Sequence, residues 1–530
     1  MKKENVLSLV PLLIAAFVIL HWLWSGVFLA EFNSDTADTL FWAAASRDAH
    51  AIASPTFHYN YFIPFGDRLL LRPLISACGL GITAMRISMT VFLVVFSAVA
   101  FALFRSLRWS RAASWLSVAL ILTIASATTK MREIYFGHVL YYSLGTLFLF
   151  LGVSCAPGPL SEEADSRRAQ LPQGFLFALC MAWAASCGKP LLLYAVVPVL
   201  GAWLFAQRGF SRSFSMKRDG AVLLPGVVGA IIGFAVFAFL SRNLLPIDYG
   251  TSYEGFSPPE QWWSNFGKLP GSWTSLLCSA LRNPIPVTGE AWLPVAGQTG
   301  LAIVLAIAPI VALFRIRRFS SRERMLVTAH WVLSAEILFF WAVGTISDGN
   351  WRLCPVVLSA AAVTACLIRN ALTSNDIFAK KSAFWMTGFV VAVCVLIQLQ
   401  TAFLPENRTV WRESETLVPS LETIGVSDGY CTDYWFANVV TAISGNRFRL
   451  REVEPDEKGG WRGRPYLTDN RWFEPDPKKS RTVFVCYPSE EPFAPKDGQV
   501  DRSECWQIDT RNDRYAKLVV LVYDGDCMAR

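Results

Sequence analysis

Long apolar blocks alternate with short polar segments over most of this 530-residue chain. An α-helix needs about 20 residues to cross the apolar core of a bilayer. Eleven blocks up to residue 404 have this character, so the pattern predicts a polytopic α-helical membrane protein with about eleven transmembrane helices. The predicted spans are Val6–Ala30, Ile87–Phe104, Ala112–Thr128, Val139–Cys155, Gly174–Cys187, Leu191–Ala206, Ala221–Leu240, Leu301–Phe314, Met325–Ile346, Leu353–Ile368 and Ala383–Phe403.

The composition agrees with a membrane protein. Apolar residue types make up 53% of the chain and charged types 17%, against about 25% charged residues in soluble proteins. A disordered, collagen-like or mainly soluble chain is therefore excluded. The formal net charge is +7, but residues 405–530 hold 18 basic and 22 acidic residues, and the preceding part holds 30 and 19. The basic excess belongs to the membrane loops, which excludes nucleic acid as a partner.

Basic residues in the short loops fall mainly on one side of the predicted bundle. Nineteen Lys and Arg residues lie in one set of loops. The short loops opposite carry four, which are Lys130, Arg132, Lys189 and Arg352. Because Lys and Arg are enriched in cytoplasmic loops, we expect a cytoplasmic N-terminus in a bacterial cytoplasmic membrane. With eleven spans, the long loops 31–86 and 241–300 and the C-terminal part then lie on the periplasmic or extracellular face.

Residues 405–530 predict a small extracytoplasmic α/β domain, separate from the transmembrane domain 1–404. Strand-like runs cover residues 481–487 and 517–523, and a helix is expected at 434–444. The domain contains no nucleotide-binding loop and no catalytic triad pattern, so we expect an accessory or acceptor-recognising role. An even number of cysteines in an oxidising compartment predicts two disulfides. Three pairings are open among Cys431, Cys486, Cys505 and Cys527.

Acidic residues follow directly after the first predicted span. The segment EFNSDTADTLFWAAA begins at Glu31 and contains Asp35 and Asp38. If Asp35 begins a helix, Ser34 or Asp35 caps it and Asp38 has the capping-box spacing. Alternatively, these carboxylates at the rim of a helix bundle accept a proton from an incoming hydroxyl, with pKa values set by the site around them. The residues alone leave both interpretations open.

The few cations predicted on the outer face form a second candidate group. Besides His138, they are Lys130 and Arg132 in KMRE, Lys189 in CGKP and Arg352 in SDGNWR. Each one alone is explained by pairing with an acid or by reaching to the membrane surface. Together they suit an anionic head group such as a lipid phosphate, which attracts the point charge of lysine and the forked donors of arginine.

The whole arrangement resembles the GT-C superfamily of membrane glycosyltransferases. The likeness comprises about eleven helices, an acidic motif after the first helix, a long first outer loop and an outer C-terminal domain. The stretches MREIYFGHVLYYSLGTL and GYCTDYWFANVVTAISGNRF are similar to those of uncharacterised bacterial members. In that superfamily an acid of the first outer loop is the catalytic base, which implies Asp35 or Asp38 here. Glu31 is a weaker candidate that we group with the substrate-binding residues, and the spacing DTAD leaves the choice of base open.

The resemblance implies transfer of a sugar from a polyprenyl-phosphate-linked donor. The expected acceptor is a hydroxyl of an envelope glycan, lipid or protein, and direct displacement would invert the sugar. Lys189, Arg132 and Arg352 would stabilise the leaving lipid phosphate, with Lys130 and His138 beside them. No cofactor is implied with certainty, and a divalent cation at the acidic loop is left open. A transporter or flippase for lipid-linked sugars and a glycan polymerase remain as alternative functions.

Overall fold

The computed structural model describes residues 7–157, 164–208, 216–245, 256–278, 292–344, 349–404, 417–457, 460–474, 480–509 and 514–528. Each predicted span contains a helix, which confirms the helical membrane class. The helices described before residue 405 are Val10–Trp24, Gly26–Glu31, Ser34–Asp48, Arg68–Cys78, Ile82–Ser106, Arg111–Ala125, Thr129–Arg132, Tyr141–Cys155, Ala164–Ser186, Lys189–Leu191, Val197–Arg208, Met216–Ser241, Pro259–Gly267, Leu269–Leu277, Trp292–Phe314, Ser321–Ala342, Cys354–Thr373 and Ile377–Ala402. Single π-helical turns follow at Glu133–Gly137 and Leu192–Val196.

Several of these helices are suited to a bilayer by length and composition. Within the described ranges, seven are long and apolar enough to cross a membrane, and the bent pair Arg111–Ala125 and Thr129–Gly137 would make an eighth span. Large apolar side chains such as Phe17, Val94 and Ile231 are exposed on their outer faces. Water would not tolerate apolar patches of this extent, whereas lipid covers them. The chain is therefore a membrane protein, and the number of eleven spans stays a prediction.

The first predicted span, residues 6–30, is broken rather than continuous. Its first helix ends at Trp24, and Ser25 has extended backbone with φ −88° and ψ 177°. The Ser25 hydroxyl accepts a hydrogen bond from Val27 N at 3.2 Å and so caps the short helix Gly26–Glu31. A serine at this position explains the break, because its side chain satisfies an amide that begins a new helix.

Small residues allow two of the membrane helices to approach closely. Gly229 and Gly233 lie four residues apart in helix Met216–Ser241 and face helix Ala164–Ser186. A Cβ atom at Gly229 would lie 2.1 Å from the Ala178 carbonyl oxygen, and one at Gly233 would lie 2.0 Å from that of Ala182. Glycines with this spacing are typical of tightly packed transmembrane helices. Backbone packing without intervening side chains thus holds this pair together.

The third predicted span, residues 112–128, ends in a sharp bend. The helix that stops at Ala125 is followed by the segment Thr129–Gly137 at an angle of 112°. Thr128 caps this second segment, because its hydroxyl accepts a hydrogen bond from Met131 N at 3.3 Å. The bend turns the residues from Lys130 to His138 towards the C-terminal part of the chain.

The C-terminal part contains one mixed sheet, which confirms the predicted α/β class. Its strands are β1 Asp428–Cys431, β2 Arg449–Pro455, β3 Trp461–Gly463, β4 Arg481–Cys486, β5 Gln499–Asp509 and β6 Arg514–Asp524. The strand order is β3-β2-β1-β4-β6-β5. Strand β1 runs parallel to β2 and β4, and the other neighbours are antiparallel.

Two strands and the helix of this sheet lie where the sequence predicts them. The runs 481–487 and 517–523 correspond to β4 and to most of β6, and helix Tyr434–Ile443 corresponds to the predicted helix 434–444. This helix connects the parallel strands β1 and β2, as parallel pairing requires. The predicted domain boundary after residue 404 falls at the start of the segment 405–416, which lies outside the described residues.

The two predicted disulfides are not formed, since none of the four cysteines of the sheet is joined to another. Cys431 and Cys505 lie on one face of the sheet and Cys486 and Cys527 on the other. Strands β1 and β5 are three strand steps apart, which separates the first pair by about 14 Å. Cys527 donates its amide to the Thr482 hydroxyl. Thr482 lies four residues before Cys486 on β4, so Cys527 is separated from Cys486 by about 13 Å along this strand. Disulfides need Cα atoms within about 7 Å, which excludes both same-face pairs, and side chains on opposite faces point apart, so no pairing is available.

The loop 31–86, which is predicted to lie on the outer face, packs directly against the C-terminal domain. His58 N donates to Thr468 O, and Leu467 N donates to His58 O, each at 2.7 Å. Deeper in the contact, Asn438 donates to the Ser34 hydroxyl at 2.8 Å, and this hydroxyl donates to Tyr434 O at 3.0 Å. The helix after β1 is thereby fixed on the helix that carries the two predicted catalytic acids.

Candidate active site

A cavity of about 630 Å³ lies where three parts of the chain meet. One wall comes from the bent segment and the membrane helices, the second from the helix Ser34–Asp48, and the third from the C-terminal domain. We call Ser34–Asp48 the acidic helix. The volume is within the range of sites that enclose small molecules. The predicted residues that line this cavity are Asp35, Asp38, Lys130, His138 and Arg352.

The acidic helix is capped by a residue other than the two predicted. Neither Ser34 nor Asp35 is the N-cap, because the Asn33 side chain accepts hydrogen bonds from the amide and the hydroxyl of Thr36, both at 3.0 Å. The capping interpretation of the two aspartates is therefore wrong. Asp35 and Asp38 are three residues apart on one helix face, and both are directed at the cavity.

Asp38 is buried to 1% exposure and held by neighbours from two other segments. Asn60 of the first outer loop donates its amide to one carboxylate oxygen, and Tyr434 donates its hydroxyl to the other at 3.0 Å. Asn60 is itself oriented by Trp42, which donates Nε1 to its amide oxygen at 2.8 Å. Burial and the charge of Asp35 raise the pKa of Asp38 well above its usual value, although both hydrogen bonds act in the opposite direction.

Asp35 differs from Asp38 because it is half-buried and faces the open volume. Burial and the neighbouring Glu133 charge raise the pKa of Asp35 to about 6, whereas Lys130 and a hydrogen bond from Tyr434 lower it. A carboxyl group with this pKa is mostly ionised at neutral pH and is still basic enough to take a proton. The arrangement therefore suits a general base at Asp35.

Lys130 lies in a charged group on the membrane side of the cavity. Its ammonium contacts both carboxylate oxygens of Glu133, at 2.7 and 2.6 Å, and lies 5.2 Å from the centre of the Trp351 ring. The bend after residue 128 brings both ends of this ion pair to the wall. Lys130 therefore presents a cation that is already partly compensated by an acid.

Arg352 occupies the same side and is surrounded by tyrosines. Its Nη1 donates to the Tyr141 hydroxyl at 2.9 Å, and Tyr141 donates to the Tyr142 hydroxyl at 2.9 Å. The guanidinium also lies 5.7 Å from the centre of the Tyr142 ring. Its positive charge thus faces the cavity with hydroxyl and aromatic partners.

Three predicted substrate-binding residues are not among the described residues that line the cavity. Arg132 is 3% exposed and forms a two-point ion pair with Glu31, with Nε to Oε2 at 3.0 Å. Trp22 donates to the same carboxylate at 2.8 Å. Lys189 begins the helix Lys189–Leu191 and is exposed. The structure therefore brings together five of the eight predicted residues.

The C-terminal wall contributes groups that sequence patterns did not single out for this site. Thr432 donates to Glu490 at 2.5 Å, and Tyr487 donates its hydroxyl to Asp433. The side chain of Trp435 lines the cavity next to them. Only the resemblance of the DYW stretch indicated this region. No sequence pattern indicates Asn60 as a site residue. The available signal is that it is an amide side chain within an aromatic-rich loop.

The acidic loop does not form a metal site of the usual composition. Among the residues that the structure describes, no group of three or more His, Cys, Asp or Glu side chains is arranged to hold a metal ion. Divalent cations such as Mg²⁺ and Ca²⁺ take several oxygen ligands, and Asp35 with Asp38 supply two carboxylates, one of which is occupied by Asn60 and Tyr434. No chemical step is assigned to a metal here.

Comparison with known proteins identifies the fold. No protein-family profile and no curated protein matches the chain. Two crystal structures of ArnT from Cupriavidus metallidurans are similar to it. The apo structure has a TM-score of 0.50 at 14% identity, over 91% of this chain and 93% of that one. The structure bound to undecaprenyl phosphate has a TM-score of 0.54 at 13% identity, over 96% and 97%. The chain therefore has the fold of the GT-C membrane glycosyltransferases.

Proposed function

We propose that this protein transfers a sugar from a polyprenyl-phosphate-linked donor to a hydroxyl of a cell-envelope acceptor. The observation that carries the proposal is a single cavity in which Asp35 faces Lys130 and Arg352. A similar fold is known in a structure bound to undecaprenyl phosphate. In this proposal the cavity opens to the outer face of the bacterial cytoplasmic membrane, and the domain 405–530 covers it from that side.

The lipid phosphate is assigned to the wall that carries Arg352. A guanidinium with tyrosine hydroxyls beside it offers several donors to phosphate oxygens, and phosphate–arginine hydrogen bonds are among the stronger ones in proteins. Lys130 adds positive charge from the same wall, moderated by Glu133. During transfer, negative charge grows on the leaving phosphate, so these fixed cations lower the barrier.

Asp35, rather than Asp38, is assigned as the general base. Asp35 faces the cavity, whereas both oxygens of Asp38 accept hydrogen bonds from the protein. Asp35 takes the proton of the acceptor hydroxyl, and the hydroxyl oxygen forms a bond to the anomeric carbon of the donor sugar. The bond from that carbon to the phosphate oxygen breaks, and the phosphate keeps the electron pair. A direct displacement of this kind inverts the anomeric centre.

The acceptor is assigned to the C-terminal wall, opposite the cations. Asp433, Glu490 and Tyr487 offer hydrogen-bond acceptors and a hydroxyl, and Trp435 offers an aromatic face. Sugars present both hydroxyl groups and apolar ring faces, so such a wall suits a carbohydrate. The assignment gives the C-terminal domain the acceptor-recognising role expected from the sequence.

The proposal is tested with the full chain reconstituted in liposomes. Wild-type protein is incubated with a panel of radiolabelled polyprenyl-phosphate sugars and an extracted envelope fraction, and the lipid products are separated. Release of polyprenyl phosphate with label in the acceptor supports transfer. Asp35→Asn should lower the rate by about 10²- to 10⁴-fold, the contribution typical of a general base.

Asp48→Asn is the matched control, because Asp48 is an exposed acid at the end of the same helix. It should transfer at the wild-type rate. Movement of label across the membrane with the sugar–phosphate bond intact would instead indicate a transporter. Full transfer by Asp35→Asn would disprove the assignment of the base.

A further inference from the structure

His138 stands out among the cavity residues because its buried side chain makes no hydrogen bond to any residue that the structure describes. It follows the bent segment, has extended backbone with φ −152° and ψ 151°, and is 1% exposed. Its own backbone amide is satisfied by Glu133 O at 3.1 Å. Neither ring nitrogen, however, has a hydrogen-bond partner among the described residues, although the side chain lines the cavity.

A second buried histidine shows the usual situation. His330 lies between two membrane helices at 4% exposure, and its Nδ1 is 2.8 Å from the Ser359 hydroxyl. Buried polar side chains in folded proteins nearly always have such a partner, and an exception calls for an explanation. For His138 the neighbouring cavity supplies one, because a molecule bound there would complete its hydrogen bonds.

The chemical state of His138 indicates which kind of group it would bind. Burial lowers the pKa of His138 to about 4, even though Glu133 acts in the opposite direction. The ring is therefore neutral at pH 7, with one nitrogen that donates and one that accepts. A neutral ring adds no positive charge for a phosphate, but it matches a hydroxyl group, which also donates and accepts. The sequence placed His138 with the phosphate-binding cations, and this state argues for a different ligand group.

The position of His138 relates it to the donor rather than the acceptor. It lies close enough to Glu133 and Lys130 for their charges to act on its ring, and the same two residues act on Asp35. In the proposed reaction the donor sugar must lie between the phosphate-binding wall and the base, because its anomeric carbon is bonded to the phosphate and attacked by the activated hydroxyl. His138 borders that space.

We propose that His138 is a sugar-binding residue, whose neutral imidazole exchanges hydrogen bonds with a hydroxyl of the donor sugar and leaves the lipid phosphate to Arg352. The inference rests on the proposed function and deepens it. It predicts that binding energy from His138 is available only to lipids that carry a sugar.

The experiment compares two lipids on full-length protein in nanodiscs. One probe is polyprenyl phosphate, and the other is the polyprenyl-phosphate hexose that wild-type protein binds best from a small panel. His138→Ala should weaken binding of the sugar lipid about tenfold and leave binding of polyprenyl phosphate within about twofold. His138→Gln, which can also donate and accept, should restore part of the loss. Arg352→Ala should weaken both lipids.

The outcomes separate the inference from the function on which it rests. Equal weakening of both lipids by His138→Ala, or no weakening of either, overturns the sugar-binding role. Equal behaviour of the Ala and Gln variants towards the sugar lipid also contradicts it, provided both melt at the wild-type temperature. If wild-type protein binds neither lipid, the proposed function itself fails. If wild-type protein and His138→Ala bind both lipids alike, only the inference fails.

Discussion

Three carboxylates lie within eight residues of one another after the first helix, and they have two opposite kinds of surroundings. Glu31 forms a closed ion pair with Arg132, supported by Trp22. Asp35 and Asp38 face a cavity of about 630 Å³ and repel one another. We call the first group the closed pair and the second the open acids. Both groups contain carboxylates, and burial of a carboxylate is costly unless it is paired or neutralised.

The difference shows that the neighbours of a carboxylate, rather than its charge, decide whether it supports the fold or is available for chemistry. In the closed pair each charge is neutralised, so its contribution is to hold the first helix against the bent segment. In the open acids, burial raises both pKa values, assisted by the Glu133 charge at Asp35 and by the Asp35 charge at Asp38, and Asp35 remains accessible. Strongly shifted pKa values in a cleft are typical of functional sites. Stability and the pH dependence of transfer should therefore respond differently to changes in the two groups.

The largest expected effect comes from breaking the closed pair. Arg132→Met leaves the partly buried Glu31 without its cation, and removing one partner of a buried pair costs on the order of 3 kcal/mol of unfolding free energy. Thermal unfolding in detergent should show this loss, while transfer per folded molecule stays near wild type. Arg47→Met, which breaks an exposed ion pair, should change the free energy by less than about 1 kcal/mol. Loss of transfer in Arg132→Met with unchanged stability would remove the distinction between the groups.

The next effect concerns the hydrogen bonds that Tyr434 supplies to the open acids. Tyr434→Phe removes a donor to Asp38 at 3.0 Å and a hydrogen bond that lowers the pKa of Asp35. Hydrogen bonds to charged groups contribute about 1.5 kcal/mol or more, so the maximal rate should fall about tenfold. Because Asp35 must be ionised to accept a proton, and its pKa rises in the variant, the acid limb of the pH–rate profile should move to higher pH.

Phe436→Leu is a control for Tyr434→Phe, since Phe436 is a buried aromatic of the same helix in the core of the C-terminal domain. It should alter stability without moving the acid limb. An unchanged limb in Tyr434→Phe would show that the tyrosine only packs against the acidic helix.

The sequence predicts the helices and strands of this molecule better than the contacts between them. Periodicity and turn residues locate β4 and helix Tyr434–Ile443 to within about a residue, because these signals are local. Asn60 and Tyr434 are 22 and 396 residues from Asp38, and no local pattern links them. Likewise, Glu31 and Arg132 look like free candidates in sequence because the bend that brings them together is a tertiary feature.

The cysteines show the converse case, in which a sequence signal predicts contacts that the fold does not contain. Their even number and the expected compartment predicted disulfides, which depend on distances that the sequence does not contain. In the sheet, strand order keeps Cys431 away from Cys505, and strand length keeps Cys486 away from Cys527. Composition therefore predicted a chemistry that the topology does not allow.

The smallest expected effect distinguishes the open acids from their charged neighbour Glu133. The Glu133 charge raises the pKa of Asp35 and that of Lys130 lowers it, so Glu133→Gln removes the first influence and keeps the second. The pKa of Asp35 should fall, and the acid limb near pH 6 should move to lower pH, opposite to the shift in Tyr434→Phe. At pH 8, where Asp35 is ionised in both proteins, rates should agree within about threefold. Opposite shifts from two neighbours of one carboxyl identify Asp35 as the titrating base, whereas parallel shifts would assign the limb to another group.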